Sequence, residues 1–275
     1  VIKKYFIPIC FIICLTACSS GKYFYLETPA VSTQRTTGTD FFKTVASWKW
    51  AARDSLAVQE ILAGNIPSFF KKFVPVSSEI KDSLGNTHRA VFYVSADYLS
   101  LGTDTDWARI PLTPMAAQKI ADSFNCFLPT KKMVDLVYQQ ATVKLEPVPM
   151  YAFRDSSVTM WQHHLIIEGQ RKGKKGLIAG IKKDVVISGK ILTIAKTDRV
   201  AIYGWHQLNG KPIQPLYTGH INWWVDYSHG IRLIYRKIKV AGKEMDYIDV
   251  LKHPVYRNLL CDEDQCDHFR YPYQK

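Results

Sequence analysis

Histidine, serine, aspartate and arginine crowd into one stretch of this chain: Tyr203-Gly204-Trp205-His206, then Pro212-Ile213-Gln214-Pro215, then His220, then Asp226-Tyr227-Ser228-His229-Gly230-Ile231-Arg232. Imidazoles move protons near neutral pH, a serine hydroxyl attacks carbonyls once a base takes its proton, and a guanidinium grips carboxylates. A serine-hydrolase reading makes Ser228 the nucleophile, His206 or His220 the base and Asp226 the group that orients it. The strained Gly-x-Ser-x-Gly turn that presents such a serine in many hydrolases is absent from the stretch. A metal reading takes His206, His220 and Asp226 as two imidazoles and a carboxylate around an open coordination place. The His-Glu-x-x-His spacing that marks many zinc enzymes is also missing. In either case Arg232 is assigned to a substrate carboxylate, with Gln214 and Trp205 as further substrate contacts. No cofactor is assigned.

Strand geometry bears on which of these groups can meet. If Asp226 to Arg236 were one regular strand, Asp226, Ser228 and Arg232 would share one face and His229 the other. A direct Asp226-His229 catalytic pair then needs a bulge, for which Gly230 is suited. Without one, His229 is a core histidine bonded to backbone.

Three cysteines of the body add further chemistry. Cys261 and Cys266 are separated by four residues, a spacing that suits a local disulfide in an oxidising compartment. Convergence with His268 on a metal is the alternative. Cys126, the third, can be a buried thiol or the partner of His229 in a cysteine-histidine pair. Outside this set, His163-His164 with Glu168 reads as a surface or hinge group on a helix. Asp97, Gly102, Asp104 and Asp106 resemble a calcium loop without the EF-hand spacing.

The strings Tyr203-Gly204-Trp205-His206, Pro212-Ile213-Gln214-Pro215 and Asp226-Tyr227-Ser228-His229-Gly230-Ile231-Arg232 resemble a family of exported bacterial proteins. So do Leu128-Pro129-Thr130-Lys131-Lys132-Met133-Val134-Asp135 and Lys182-Lys183-Asp184-Val185-Val186, and the resemblance spans roughly residues 90 to 235. It implies export and carries no reaction. Ser228-His229-Gly230-Ile231-Arg232 also resembles the Ser-His-Gly-Cys-x-Arg signature of L,D-transpeptidases, with His206 as the upstream histidine, which implies a β-rich surround. No cysteine follows Gly230 here, so the resemblance brings no nucleophile.

The elements that must hold these groups can be read from periodicity and caps. Phe41 to Leu62 carries an apolar stripe of Phe42, Val45, Ala46, Trp50, Leu56, Ile61 and Leu62, predicting one helix stopped by Gly64-Asn65. Leu84-Gly85-Asn86 predicts a turn leading into the strand Arg89 to Val94. Thr113-Pro114 and Pro129-Thr130 start two helices, to about Phe124 and to Ala141, around Asn125-Cys126. A further helix runs from Ser157 to about Arg171. Val185 to Ile187, Val200 to Tyr203 and Ile231 to Val240 read as strands, with a turn at Asn209-Gly210. The expected fold class is α+β, with helices mainly in the first two thirds and an antiparallel sheet mainly in the last.

Lys3 and Lys4 precede an apolar run from Tyr5 to Leu15, and Leu15-Thr16-Ala17-Cys18 resembles the lipobox of bacterial lipoproteins. The expected organisation is therefore a signal peptide over 1–17, lipid on Cys18, a flexible tether over 18–40 and a single domain over 41–275. The net charge is +12, and removal of Lys3 and Lys4 lowers it to +10. A basic protein outside the cytoplasm meets anionic envelope polymers and lipid headgroups, not nucleic acid. Together these point to a membrane-anchored lipoprotein, periplasmic or at the cell surface, with an envelope polymer such as peptidoglycan as partner. Its activity is expected to be that of a hydrolase or transferase on that polymer, or else of a noncatalytic glycan-binding or scaffold protein. In the second reading Trp205, Trp223 and Trp224 stack on sugar rings.

Overall fold

The longest strands arise where apolar and polar residues alternate. Lys72–Lys81 and Thr87–Ser95 pair antiparallel from Phe73 opposite Ser95 to Lys81 opposite Thr87, placing Phe73, Val76, Phe92 and Val94 in the core. Asp82 closes the turn between them, its Oδ1 accepting from the amides of Leu84 and Asn86. These coordinates are a computed structural model that describes residues 23–30, 35–194 and 196–273. The signal peptide expected over 1–17 and Cys18, the expected site of lipid attachment, lie outside the described residues.

The protein is a mixed α+β fold. Among the described residues, the larger sheet extends the hairpin on both sides. Phe24–Tyr25 pairs along Lys72–Lys81, and Ile234–Tyr235 lies between Thr87–Ser95 and Cys126–Phe127. Lys237–Val240 also joins Thr87–Ser95 and carries the hairpin partner Lys243–Asp246. A second sheet runs in the order Pro212–Tyr217, Ala201–His206, Lys183–Val186, His229–Gly230, its last pair parallel. The strands of the last third thus join a hairpin from the first.

Eight helices surround the sheets among the described residues: α1 (Gly38–Thr44), α2 (Trp50–Leu62), α3 (Ser68–Lys71), α4 (Pro114–Ser123), α5 (Lys131–Gln140), α6 (Ser157–Arg171), α7 (Tyr247–Lys252) and α8 (Arg257–Leu260). The caps sit where the sequence placed them. Thr113 caps α4 and Thr130 caps α5, each hydroxyl accepting an amide of the first turn, and Ser156 does the same for α6. Ala117, Ile120, Met133, Val137, Val250 and Leu259 join the strand residues in one core.

Several expected boundaries change. The single helix read over Phe41 to Leu62 is two: α1 ends as Val45 donates to Phe41, and a turn closed by Trp48 N–H on the Val45 carbonyl redirects the chain before α2. Phe41, Phe42 and Val45 thereby face the core, whereas Trp50 remains 37% exposed. Part of the expected tether is docked. Phe24 pairs with Phe73 and stacks on Tyr235 with ring centres 3.9 Å apart. Between α4 and α5 the chain is not a plain loop: Asn125 takes a left-handed φ of 52° and Cys126–Phe127 enters the sheet.

The strand expected over Ile231 to Val240, and the regular strand considered over Asp226 to Arg236, are not formed as such. His229–Gly230 belongs to the second sheet and Ile234–Tyr235 to the first, so Ile231 to Leu233 cross between sheets. That crossing is bonded to the hairpin's far end, with Leu99 N–H donating to Ile231 O at 2.7 Å and Ser95 N–H to Leu233 O at 2.9 Å. Alternating side chains mark extended backbone and do not say which sheet receives it.

Candidate functional site

The polar string that the sequence brings forward is mostly sealed inside the protein. Asp226 and Ser228 have no exposed surface, and the Ser228 hydroxyl and amide both donate to Asp226 Oδ1, at 2.5 and 2.8 Å. Asp226 Oδ2 takes Arg154 at 2.8 Å. Burial pushes the Asp226 carboxyl up, but the neighbouring His229 imidazole, the Ser228 hydrogen bonds and the Lys183 charge outweigh it and hold the group below its ordinary value. A serine whose hydroxyl serves a buried carboxylate cannot reach a substrate, which removes the nucleophile from the Ser-His-Asp reading.

Arg232 is a structural cation. It is 1% exposed, donates to the carbonyls of Ser95 and Ile178 at 3.0 and 2.7 Å, and lies over the Tyr98 ring at 4.1 Å. Asp184 is its counter-charge at 3.6 Å, and the Tyr98 hydroxyl donates to that carboxylate at 2.9 Å. Arg232 therefore ties the sheet crossing to its neighbours and is not available for a substrate carboxylate. Trp205, the expected sugar contact, is likewise buried, with its ring 5.0 Å from the Lys183 ammonium. Gln214 sits on the edge strand opposite Gly204, its amide donating to Pro215 O at 3.0 Å.

The histidines separate. His206 Nε2 meets Asp135 Oδ1 at 2.9 Å, an oxygen that also accepts the Tyr203 hydroxyl at 2.8 Å, and the imidazole stacks on Tyr138 at 4.5 Å. His206, Asp135 and Tyr138 edge a cleft of about 380 Å³ together with Lys144 and Asn209. His220 lies elsewhere, half-buried, with Tyr217 at 5.1 Å, His229 at 6.2 Å and Trp224 at 6.3 Å between ring centres. His229 is enclosed, and neither ring nitrogen has a hydrogen-bond partner, so it is not the backbone-bonded core histidine expected. Burial pushes its imidazole down to about 4. The residue after it must be glycine, since a Cβ on Gly230 would stand 2.5 Å from the Tyr98 ring and 2.6 Å from Lys182 Cβ.

The metal readings lose their donors. His206, His220 and Asp226 do not converge, and no group of three His, Cys, Asp or Glu residues suited to a metal occurs among the described residues. Cys261 and Cys266 are joined as a disulfide, which takes both thiols from the alternative with His268. Cys126 is buried and its thiol donates to Phe124 O at 3.3 Å; burial pushes it far above the ordinary thiol range, so it is no partner for His229. The acidic loop is spoken for: Asp97 takes Arg109 through two bonds, Asp104 accepts Ser68 N–H and Asp106 accepts Thr39 N–H. His163 and His164, expected at the surface, are both buried, and Glu168 pairs with Arg109 at 2.8 Å and Arg171 at 3.0 Å.

What stays open is aromatic. Trp48 and Trp50, from the break between α1 and α2, and Trp223 and Trp224, just before Asp226, line one cleft of about 480 Å³. Trp48, Trp50 and Trp223 are 41%, 37% and 43% exposed. Lys49, Ser47, Asp155, Ser156 and Ser157 supply its polar lining. The α1–α2 turn sets one wall, and the start of α6 sets the floor. The sealed string anchors the other wall: Asp226 holds Arg154 beside Asp155, and Tyr227 N–H donates to Arg154 O at 2.9 Å. Exposed indole faces beside hydroxyls and one cation can stack on the apolar faces of sugar rings and bond their hydroxyls. The sequence brings Trp223 and Trp224 forward as residues that could stack on sugar rings, and both line this cleft. It does not bring forward Trp48, Lys49, Trp50 or Ser157 as cleft residues, although Ser47-Trp48-Lys49-Trp50, polar and indole residues in alternation, interrupts the helical stripe.

No protein-family model matches the chain, no curated protein matches its sequence, and no solved structure matches its fold.

Proposed function

We propose that this protein is a noncatalytic glycan-binding lipoprotein of the bacterial envelope, holding a polymer such as peptidoglycan in the tryptophan cleft. The single observation that carries the reading is the convergence of Trp48, Trp50, Trp223 and Trp224 on one open cleft. Folding ordinarily hides indoles, because each buries a large apolar area. Indoles left open in a concave surface are therefore a binding feature. The enzyme reading has no comparable support, because its serine, its carboxylate and its arginine are enclosed and committed to one another and to backbone.

Export and lipid attachment rest on the leader-like segment and the Leu15-Thr16-Ala17-Cys18 string. A disulfide between Cys261 and Cys266 agrees with an oxidising compartment. No helix among the described residues is long and apolar enough to cross a membrane, and a lipid anchor needs none.

The test is sedimentation with insoluble peptidoglycan, using purified protein and a Trp48→Ala/Trp223→Ala variant. Co-sedimentation of the parent and its loss in the variant are expected, with no release of soluble fragments by either. Turnover of the polymer by the parent, abolished in Ser228→Ala, would return the protein to the hydrolases. Labelling with a radioactive fatty acid, compared between the parent and Cys18→Ser, checks the anchor.

A further inference from the structure

Tyr23 and the strand Phe24–Tyr25 sit at one end of α6. Tyr25 pairs opposite Lys72, and the Lys72 ammonium lies 3.6 Å from the centre of the Tyr23 ring. Helix α3, immediately before Lys72, reaches the C-terminal end of α6: the Arg171 guanidinium lies 6.0 Å from the Phe69 ring and 5.0 Å from the Trp107 ring. Cys18, the expected site of lipid attachment, precedes Tyr23 by five residues. Covalent geometry limits five residues to a span of about 18 Å. A lipid on Cys18 therefore keeps Tyr23 and its neighbours within that reach of the bilayer surface.

The charge of that end is an independent observation. Lys172, Lys174 and Lys175 are exposed beyond α6, and Lys71 and Lys72 are half-buried beside Tyr23. None of these five lysines forms an ion pair among the described residues. Nearby carboxylates are mostly committed: Glu168 is held between Arg109 and Arg171, and Asp104 accepts the Ser68 amide. Glu27, after Leu26 on Lys71, and Glu146, whose backbone meets Gln170, are left to offset the five. Tyr23 and Tyr25, 46% and 62% exposed, add the ring type that favours a headgroup layer. At the other end of α6, about 22 Å away along its fifteen residues, Ser157 lines the tryptophan cleft.

From the short link and the unpaired lysines we infer that this end of the body docks on the anionic headgroups of the bilayer that holds the lipid, so that α6 carries the tryptophan cleft away from the membrane. Lysines beside an anionic lipid surface are attracted to it, and the attraction fades beyond a Debye length, roughly 8 Å at physiological salt. A link of five residues allows that approach, whereas the cleft stays a helix length farther out, where a polymer can reach it. The inference rests on the lipid anchor proposed above and adds the orientation of the body.

Lysine acetylation of the purified lipoprotein in vesicles, read residue by residue by peptide mass spectrometry, tests the orientation. Vesicles of phosphatidylcholine alone are compared with vesicles that also contain phosphatidylglycerol. Lys172, Lys174 and Lys175 are expected to react about tenfold more slowly on the anionic vesicles, and added salt is expected to remove the protection. Lys49, exposed in the cleft, is expected to react equally on both. The Lys172→Glu/Lys174→Glu/Lys175→Glu variant, changed only at exposed positions, is expected to lose the protection of Lys71 and Lys72 as well. Equal reactivity of Lys172, Lys174 and Lys175 on both vesicle types, in protein that is acylated and inserted, would overturn the docking and leave the anchor standing. Protection of Lys49 along with them would overturn the orientation. Protein that carries no fatty acid and does not enter vesicles would remove the anchor, and the inference with it.

Discussion

The sealed polar string and the open tryptophan cleft touch in sequence, with Trp224 two residues before Asp226, but they meet water very differently. Asp226, Ser228, His229 and Arg232 are all at most 1% exposed, whereas Trp223 is 43% exposed. In an average protein the polarities would be reversed. The polar groups are inside because each offsets the desolvation of another: Ser228 and Arg154 satisfy Asp226, and Asp184 with two carbonyls satisfies Arg232. The indoles are outside because neighbouring chain segments hold them around a space that the protein does not fill. Density of reactive residue types in a sequence thus marked the support, and the opening lies beside it.

Breaking the support is expected to have the largest effect. Arg232→Ala leaves Asp184 and the carbonyls of Ser95 and Ile178 without their cation, and removing one partner of a buried pair costs about 3–5 kcal/mol. Chemical denaturation should show that loss in the midpoint. A variant as stable as the parent would mean that Arg232 does not clamp the sheet crossing.

On the open side, Trp48→Ala/Trp223→Ala should leave the unfolding midpoint nearly unchanged, while polymer binding falls on the order of 10- to 100-fold, or about 1.4–2.8 kcal/mol. If stability fell and binding held, the two regions would have been assigned the wrong way round.

Acid should act on the sealed region. His229 titrates at about 4 in the folded protein against its ordinary 6.5, because burial disfavours the imidazolium. Between those values the unfolded chain binds the extra proton, so the contribution of this group is fully present above pH 6.5 and is lost as the pH falls through about 4. The parent should lose at most about 1.4 kcal/mol per pH unit through His229 over that window, and His229→Gln should flatten that part of the profile. Identical pH profiles for the two proteins would contradict the burial of His229.

The smallest change expected is that of Ser228→Ala, which removes one hydroxyl from Asp226 while the Ser228 amide and Arg154 remain. A loss of about 1 kcal/mol in stability with unaltered polymer binding is expected. A large loss of function at unchanged stability would reopen the serine chemistry.

Much of the framework was legible. Thr113-Pro114 and Thr130 announce helices because a hydroxyl before a helix satisfies amides that the helix cannot satisfy itself. The hairpin turn at Leu84-Gly85-Asn86 was legible for a similar local reason, and the structure adds Asp82 as the acceptor that closes it. The break at Ser47-Trp48-Lys49 was not. An apolar stripe counts indoles as core, and only packing of α1 through Phe41 and Val45 decides that Trp48 and Trp50 stay outside. Nor could Asp135 be foreseen as the partner of His206, since the pair spans 71 residues of sequence.

By itself, the sequence determined what local chemistry controls: the caps at Thr113 and Thr130, the turn at Leu84-Gly85-Asn86, the α+β class, and the spacing of Cys261 and Cys266 that allows their bond. Which polar groups would be enclosed, which histidines would meet, and which tryptophans would face an empty cleft were decided only when distant segments packed. Those outcomes depend on burial and on partners remote in the chain, and neither is a property of neighbouring residues.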